Sequence, residues 1–202
     1  ESIAKYGESL AGVRAETPMH QFKFKLSVYG PDGKLLPEIS AGPLAPPGSA
    51  DHEVQSCNFR LILTKDRNNQ VPYPKPTNYD PHDYELLANY IHGFMQHYSR
   101  VPRFNELTLQ VGIPNHKTDF NNMGPFSTDY IGKDWTFPNA SYAERKIIWQ
   151  DHIHYTKGFF YFLAHDSQVP EQLRKEVNEW GLAKDEFTGT DHWPPQLYIR
   201  ES

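Results

Sequence analysis

The sequence is poor in three features that define large classes of protein. Its 202 residues include one cysteine, Cys57, so no disulfide can form within the chain. It has 20 basic and 25 acidic residues and a formal net charge of −5, whereas a nucleic-acid partner would require a basic face. No apolar run reaches the roughly 18 residues of a membrane helix. We therefore expect neither a nucleic acid nor a membrane as a partner.

Several cofactor and catalytic motifs are also missing. The sequence contains no glycine-rich dinucleotide fingerprint and no GxxxxGK[ST] phosphate loop. Ser127, His152 and Asp151 would supply a hydrolytic triad by residue type, but no serine stands in a G-x-S-x-G elbow. A hydrolase is therefore not supported.

The ten histidines do not have the spacing of a metal site. His92 and His97 are five residues apart, and His152 and His154 are two apart. A helix brings side chains together at i and i+4, so both pairs diverge. We predict no bound metal.

The residues that are present indicate an α+β fold. Hydrophobic residues make up 38% and aromatic residues 14% of the chain, enough for one domain over residues 1–202 with a sizeable core. Strands and helices do not alternate, so we expect an antiparallel or mixed β-sheet packed against about three helices. The predicted strands are 20–39 (with a hairpin), 58–64 and 106–113. The first predicted helix begins at Asp80–Pro81, and the second begins at Ser141, with a capping box to Glu144, and ends near Ala164. The third predicted helix begins at Pro170 and is closed by Gly181.

One segment without periodicity, residues 121–132, concentrates polar groups. Such residues are ordinary turn formers, yet the surrounding aromatic side chains would bury many of them. Buried polar groups require partners, so the segment is either an internally bonded turn or the lining of a ligand site. The candidate substrate-binding residues here are Asn121, Asn122, Ser127, Thr128 and Tyr130.

Three ionisable residues are candidate catalytic groups: His152, Asp129 and Arg60. His152 falls on the apolar stripe of its helix, where it is either a buried histidine bonded to a hydroxyl or carbonyl, or a proton carrier. Arg60 must be paired or must reach an edge of the sheet, and Asp129 is its expected partner. We expect these three groups to form one polar cluster with residues 121–130.

The C-terminal stretch DHWPPQLYIR adds further candidates for substrate binding: His192, Trp193, Tyr198 and Arg200. The strand-like run after the Pro-Pro bend places Tyr198 and Arg200 on one face. An arginine beside a phenol can hold a substrate carboxylate or a flavin phosphate, and it can equally be an exposed strand end.

Several stretches together resemble a known family. In order they are ESIAKYGESLAGV, VQSCNFRLILTKD, VPYPKPTNYDPHDYELL, DFNNMGPFSTDYIG, YAERKIIWQDHIHYTKGFFYFLAHDSQVP, WGLAKDEF and WPPQLYIRE. They are similar to the central portion of bacterial FAD-dependent oxidoreductases of the glutathione-reductase-like superfamily, some of which carry the label "xanthan lyase". The similarity covers nearly the whole chain and depends on order and spacing.

The resemblance implies that the chain is a substrate (cap) domain inserted in a larger flavoprotein. FAD would be bound by another domain of the same polypeptide, and this chain would hold a small-molecule substrate, such as a sugar, against the flavin. On its own the chain would then be an inactive fragment. The resemblance also favours a periplasmic or secreted location.

The insert interpretation leads to two expectations about the surface. Removing the host domain should expose an apolar patch near the termini, involving Ile3, Tyr6, Leu197 and Tyr198. The two termini should also lie close together.

The alternative is a free-standing carbohydrate-binding or interaction module without enzymatic activity. Such a module would use its tryptophans as a stacking platform. The candidates are Trp135, Trp149, Trp180 and Trp193.

Overall fold

The computed structural model describes residues 20–49 and 53–199 of the chain. Three of the residues named above, Ile3, Tyr6 and Arg200, lie outside this part, as do both termini. The prediction that the termini lie close together therefore concerns residues outside the described part.

A five-stranded sheet forms the centre of the fold. The strand order is β2-β5-β1-β4-β3, and every pair is antiparallel. With helices packed on it, this open sheet confirms the predicted α+β class. The strands are β1 Leu61–Thr64, β2 Gln70–Val71, β3 Thr108–Ile113, β4 Lys117–Asn122 and β5 Gly181–Ala183.

Four α-helices accompany the sheet in the described part of the chain. The longest, α3, begins at the predicted cap, where Ser141 and Glu144 form a reciprocal capping box. Asp80 and Pro81 open a 3-10 turn, Pro81–Tyr84, which leads directly into the first α-helix. The helices are α1 Glu85–Tyr98, α2 Phe104–Leu107, α3 Tyr142–His165 and α4 Glu171–Val177.

The core lies between one face of the sheet and helix α3. Leu61 and Leu63 of β1 and Phe120 of β4 are fully buried, because alternate strand residues point to the same face. The ring centroid of Phe120 lies 4.8 Å from that of Phe160 on α3. Burying each such side chain stabilises the fold by about 1.5–3 kcal/mol.

Over residues 20–39 the predicted long strand is wrong, but a short hairpin turn forms, in which the Gly30 N–H donates to the Lys34 carbonyl at 2.8 Å and the Leu36 N–H donates to the Val28 carbonyl at 2.9 Å. Only an isolated bridge between Tyr29 and Leu35 forms there. The alternating apolar residues instead pack on α1, where Phe24 stacks on Tyr90 at 5.3 Å between ring centroids. Gly93 of α1 leaves room for this contact, since an added Cβ would lie 2.7 Å from the Phe24 ring.

Other boundaries also differ from the sequence prediction. The expected strand 106–113 begins as the helical turn α2, so β3 starts only at Thr108. Gly181 does not close a helix but begins β5, because α4 already ends at Val177, with Asn178 as its C-cap. The described part of the run QLYIR, residues 196–199, contributes a single bridge, from Tyr198 to Asn58.

The expected apolar patch is only partly present among the described residues. Leu197 is 2% exposed and belongs to the core, so it was wrongly assigned to the patch. Tyr198 is 46% exposed. No helix in the described ranges is long and apolar enough to cross a bilayer.

Gly158 of helix α3 provides a test of how the 3-10 turn packs. A Cβ built there would lie 2.0 Å from the Tyr84 hydroxyl, which donates to the Tyr155 carbonyl at 2.8 Å. We expect Gly158→Ala to lower the free energy of unfolding by about 1–3 kcal/mol, because the buried ring must move. Gly112→Ala, whose added Cβ meets nothing within 4 Å, is the matched control. Equal urea midpoints for the two variants would contradict the packing described.

Candidate functional site

The polar segment that follows β4 is a buried, internally bonded loop. Asn121 and Asn122 are the last residues of the strand, and Gly124 and Gly132 reverse the chain at φ values of 88° and 78°. The Asn122 side-chain amide donates to the Asp129 carboxylate. The Asp129 backbone N–H donates to the Ser127 hydroxyl at 3.2 Å. We call residues 121–132 the amide loop.

Helix α3 holds the amide loop through Tyr155. The buried Tyr155 hydroxyl donates to the Ser127 carbonyl at 2.8 Å. The Tyr130 ring stacks on Tyr155, with centroids 4.1 Å apart and an interplanar angle of 7°. One helical turn earlier, His152 meets the Tyr130 ring at 5.5 Å.

These contacts extend into a column of stacked phenol rings. Tyr84 stacks on Tyr155 at 5.7 Å, and Tyr79 stacks on Tyr84 at 5.9 Å. Burial raises the pKa of each ring, including that of Tyr130 to about 12, so all four hydroxyls are neutral and can donate hydrogen bonds at physiological pH. We call Tyr79, Tyr84, Tyr155 and Tyr130 the tyrosine column.

An open pocket of about 160 Å³ lies along the tyrosine column. It combines aromatic surface with two carboxylates, an imidazole and an amide, which can accept or donate directional hydrogen bonds. Burial raises the pKa of Asp83, and the negative charge of the neighbouring Asp80 raises it further. The lining residues are Pro76, Asn78, Tyr79, Asp83, Tyr84, Tyr130, Asp151, His154 and Tyr155.

Glu38 lies behind the wall of this pocket. Its backbone adopts a left-handed conformation at φ 68°, which is costly for a residue with a side chain. Burial raises the pKa of its carboxyl to about 8, although the Tyr155 hydroxyl, the Ile131 N–H and Lys133 oppose the shift. Glu38 is thus largely protonated at neutral pH.

Among the predicted catalytic residues, His152 lies next to the amide loop, and its imidazole is buried. Its Nδ1 lies 2.7 Å from the Ile148 carbonyl and therefore carries the proton. Its buried Nε2 has no hydrogen-bond partner in the described structure. Burial lowers the pKa of His152, against the effects of the Ile148 carbonyl, Asp134 and Asp151, so the ring is neutral.

The expected contact between Arg60 and Asp129 is wrong. Arg60, the residue before β1, instead forms an ion pair with Asp119, whose partner in the β1–β4 ladder is Ile62. Strand alternation explains the error, because Asp119 and Asn121 point to the face that carries Arg60, whereas Asn122 points to the opposite face. Asp129, bonded to Asn122, lies on the side away from Arg60.

A second set of polar residues surrounds Arg60. The Asn58 side-chain amide donates to the side-chain Oδ1 of Asn121 at 2.9 Å, and the centroid of the Tyr198 ring lies 6.0 Å from the Arg60 guanidinium. The predicted single cluster is therefore divided between the two faces of the sheet. Asn121, Tyr198 and Arg60 lie on one side, and Asn122, Asp129 and the rest of the amide loop lie on the other.

Of the predicted site residues in the described part, Tyr130 alone lines the pocket, and His192 and Trp193 lie elsewhere. Trp193 is 5% exposed and packs against Phe59 at 5.4 Å between ring centroids. His192 lies beside the Glu186 carbonyl, 3.1 Å from its Nδ1. The burial of Trp193 removes it from any exposed stacking platform.

Sequence reasoning missed much of the pocket. Tyr79, Asp83 and Tyr84 lie at the predicted helix start at Asp80–Pro81, and none of them is among the predicted site residues. His154 was dismissed with the metal hypothesis, and Glu38 lies in a segment interpreted as part of a hairpin. No sequence signal connects Glu38 with Tyr155, since their contact depends on tertiary packing. No group of three His, Cys, Asp or Glu residues that could hold a metal ion occurs in the described ranges.

The pH dependence of stability tests the environment of His152. Because its folded pKa lies below the usual value of about 6.5, the unfolded chain binds a proton that the folded chain does not. We expect stability to fall as the pH is lowered through that window. His152→Gln should show a shallower slope in urea titrations at pH 5–7, while His97→Gln, at an exposed position, keeps the wild-type slope. Identical slopes for His152→Gln and the wild type would refute a neutral, buried imidazole.

Comparison with known proteins gives one clear result. No curated protein and no solved structure matches the chain. The model of the FAD dependent oxidoreductase family matches residues 1–202, the full length of the sequence. The chain therefore belongs to the FAD dependent oxidoreductase family.

Proposed function

We propose that this chain is the substrate-binding part of an FAD-dependent oxidoreductase and that it holds a small polar, carbohydrate-related substrate. The observation that carries the proposal is the pocket along the tyrosine column, which the amide loop helps to form. The FAD would be bound by a domain outside these 202 residues.

The chemistry of the pocket suits a polyhydroxylated ligand. Asp83 and Asp151 can accept hydrogen bonds from hydroxyl groups, and His154 and Asn78 can donate or accept them. The raised pKa of Asp83 indicates that its surroundings disfavour the charged carboxylate. A ligand hydroxyl that donates a hydrogen bond to it would therefore stabilise it. The tyrosine rings offer apolar surface against which a sugar ring can lie.

The described residues do not fit the dinucleotide part of FAD. Their strand pairs are all antiparallel, whereas a dinucleotide cradle requires a parallel βαβ unit with a glycine-rich turn at a helix N-terminus. When bound elsewhere in the protein, FAD would supply the hydride acceptor. The residues described here would bind and orient the substrate.

A second surface supports the alternative of a free-standing carbohydrate-binding or interaction module. Phe137, Tyr142 and Trp149 line a shallow depression of about 380 Å³ together with Arg145, Lys146 and Gln150. Tyr142 is 89% exposed, and Trp149 is half-buried. An exposed aromatic surface of this kind can stack on a glycan.

Sugar binding by the isolated chain distinguishes the two functions. We expect D-glucose or D-mannose to perturb the NMR signals of the pocket residues, and Asp151→Asn or Tyr130→Ala to weaken binding about tenfold, equivalent to about 1.4 kcal/mol. Glu171→Gln is the matched control, because the Glu171 carboxylate is exposed, pairs with Lys175 and does not line the pocket. Binding that survives Asp151→Asn but is lost in Trp149→Ala would favour the second function.

The amide loop can be tested in the flavin-containing protein. Asp129→Ala removes the acceptor of the Asn122 side chain and should loosen the loop. We expect turnover to fall about tenfold or more, since a small misplacement of substrate is costly, while visible flavin absorbance is unchanged. The isolated 202-residue chain should show no flavin absorbance. Loss of flavin from the Asp129→Ala protein would instead assign the loop to the cofactor.

A further inference from the structure

The pocket along the tyrosine column is lined by two carboxylates and by no lysine or arginine. The carboxylates belong to Asp83 and Asp151, and the other lining side chains are aromatic, apolar, amide or imidazole. Neither carboxylate forms an ion pair or a side-chain hydrogen bond with another residue in the described ranges. The two negative charges therefore have no counter-charge among the residues that line the pocket.

The aromatic wall of the pocket can also attract a cation. The face of an aromatic ring carries partial negative charge, so an ammonium group within about 6 Å of the ring centroid is stabilised. Both end rings of the tyrosine column make such contacts. The Lys75 ammonium lies 5.4 Å from the centroid of Tyr79, and the Lys133 ammonium lies 5.7 Å from that of Tyr130. Neither lysine lines the pocket, so the cations of the chain itself show what these rings attract.

The two carboxylates act on the same part of the column. Burial is the main cause that raises the pKa of Tyr130 to about 12, and the negative charges of Asp83 and Asp151 are among the further causes. An ammonium group beside this ring would therefore be attracted by both charges at once. Asp83 is half-buried, where solvent screens such an attraction less than at a fully exposed site.

We propose that this pocket selects a positively charged substrate, a small amine or amino sugar whose ammonium group lies against the tyrosine rings within reach of Asp83 and Asp151. This inference rests on the proposed substrate pocket and names the class of ligand that the pocket takes. The ammonium group would neutralise the carboxylates, and the hydroxyl groups of an amino sugar would bond to Asn78 and His154. A neutral sugar gains only the hydroxyl contacts, and a sugar acid is repelled by both carboxylates.

The depression at the start of helix α3 has the opposite charge. Its charged lining residues are Arg145 and Lys146, and no carboxylate lines it. An ammonium ligand would be repelled there, whereas a sugar acid would be attracted. The sign of the ligand charge therefore distinguishes binding in the pocket from binding in the depression.

Three sugars of the same ring size test this selectivity in the chain without any variant: D-glucosamine, D-glucose and D-glucuronate. At a pH where the amino group of glucosamine is charged, we expect NMR titration of the pocket residues to give glucosamine an affinity about tenfold higher than glucose. Glucuronate should bind the pocket most weakly. The advantage of glucosamine should shrink as NaCl is raised towards about 1 M, because salt screens the charges. Equal affinities for glucosamine and glucose, or tightest binding of glucuronate to the pocket, would overturn the proposal.

The ratio of the glucosamine and glucose affinities isolates the effect of charge. The double variant Asp83→Asn/Asp151→Asn keeps side-chain oxygens that accept from hydroxyl groups but removes both charges. The ratio should therefore fall from about ten towards one. Glu171→Gln should keep the wild-type ratio, because its exposed carboxylate lies outside the pocket. A wild-type ratio that persists in the double variant would contradict the role given to the two carboxylates.

Tetramethylammonium separates this inference from the proposed function, because it carries the charge without any hydroxyl group. On binding, the ring currents of the tyrosines should move its methyl proton signal upfield. A chain that binds tetramethylammonium but no sugar would refute the carbohydrate-related function and support the cation site. A chain that binds glucose without preferring glucosamine, and that does not bind tetramethylammonium, would refute the cation selectivity alone.

Discussion

The hydrogen bond from the Tyr155 hydroxyl to the Ser127 carbonyl is the contact on which the candidate site depends. It joins the two parts of the molecule that the pocket requires, helix α3 and the loop after β4. The Tyr130 ring, stacked on Tyr155, joins the same two parts. The Tyr155 hydroxyl is buried, so leaving its partner unsatisfied would cost about 1–3 kcal/mol, which makes the alternative conformations of the loop unfavourable.

The polar residues around the sheet form two sets, one on each of its faces. Arg60 and Asp119 form an ion pair on the face opposite the core, where each charge neutralises the other. The amide loop lies on the core side, where its carboxylate is bonded within the loop itself. Because a strand sends neighbouring side chains to opposite faces, the adjacent residues Asn121 and Asn122 belong to different sets.

Local signals in the sequence were sufficient for the starts of the two longest helices but not for the site. The capping box at Ser141 and Glu144, and the Asp80–Pro81 helix start, are determined by neighbouring residues and were predicted correctly. The alternating segment 20–39 resembles a strand by pattern, yet its aromatic residues pack on helix α1, a choice made by tertiary contacts. The pocket combines residues from three segments between positions 76 and 155. Such convergence depends on the three-dimensional fold and leaves no periodic trace in the sequence.

The tyrosine column also has an optical consequence. Its four phenol rings follow one another at centroid distances of 5.9, 5.7 and 4.1 Å, with interplanar angles below 30°. Chromophores this close exchange excitation energy, so the column should give the protein a strong near-ultraviolet circular dichroism band. The terminal ring, Tyr130, belongs to the amide loop, and its stacking on Tyr155 is the shortest step of the column. The protein thus carries an intrinsic spectroscopic reporter of whether the loop is seated on helix α3.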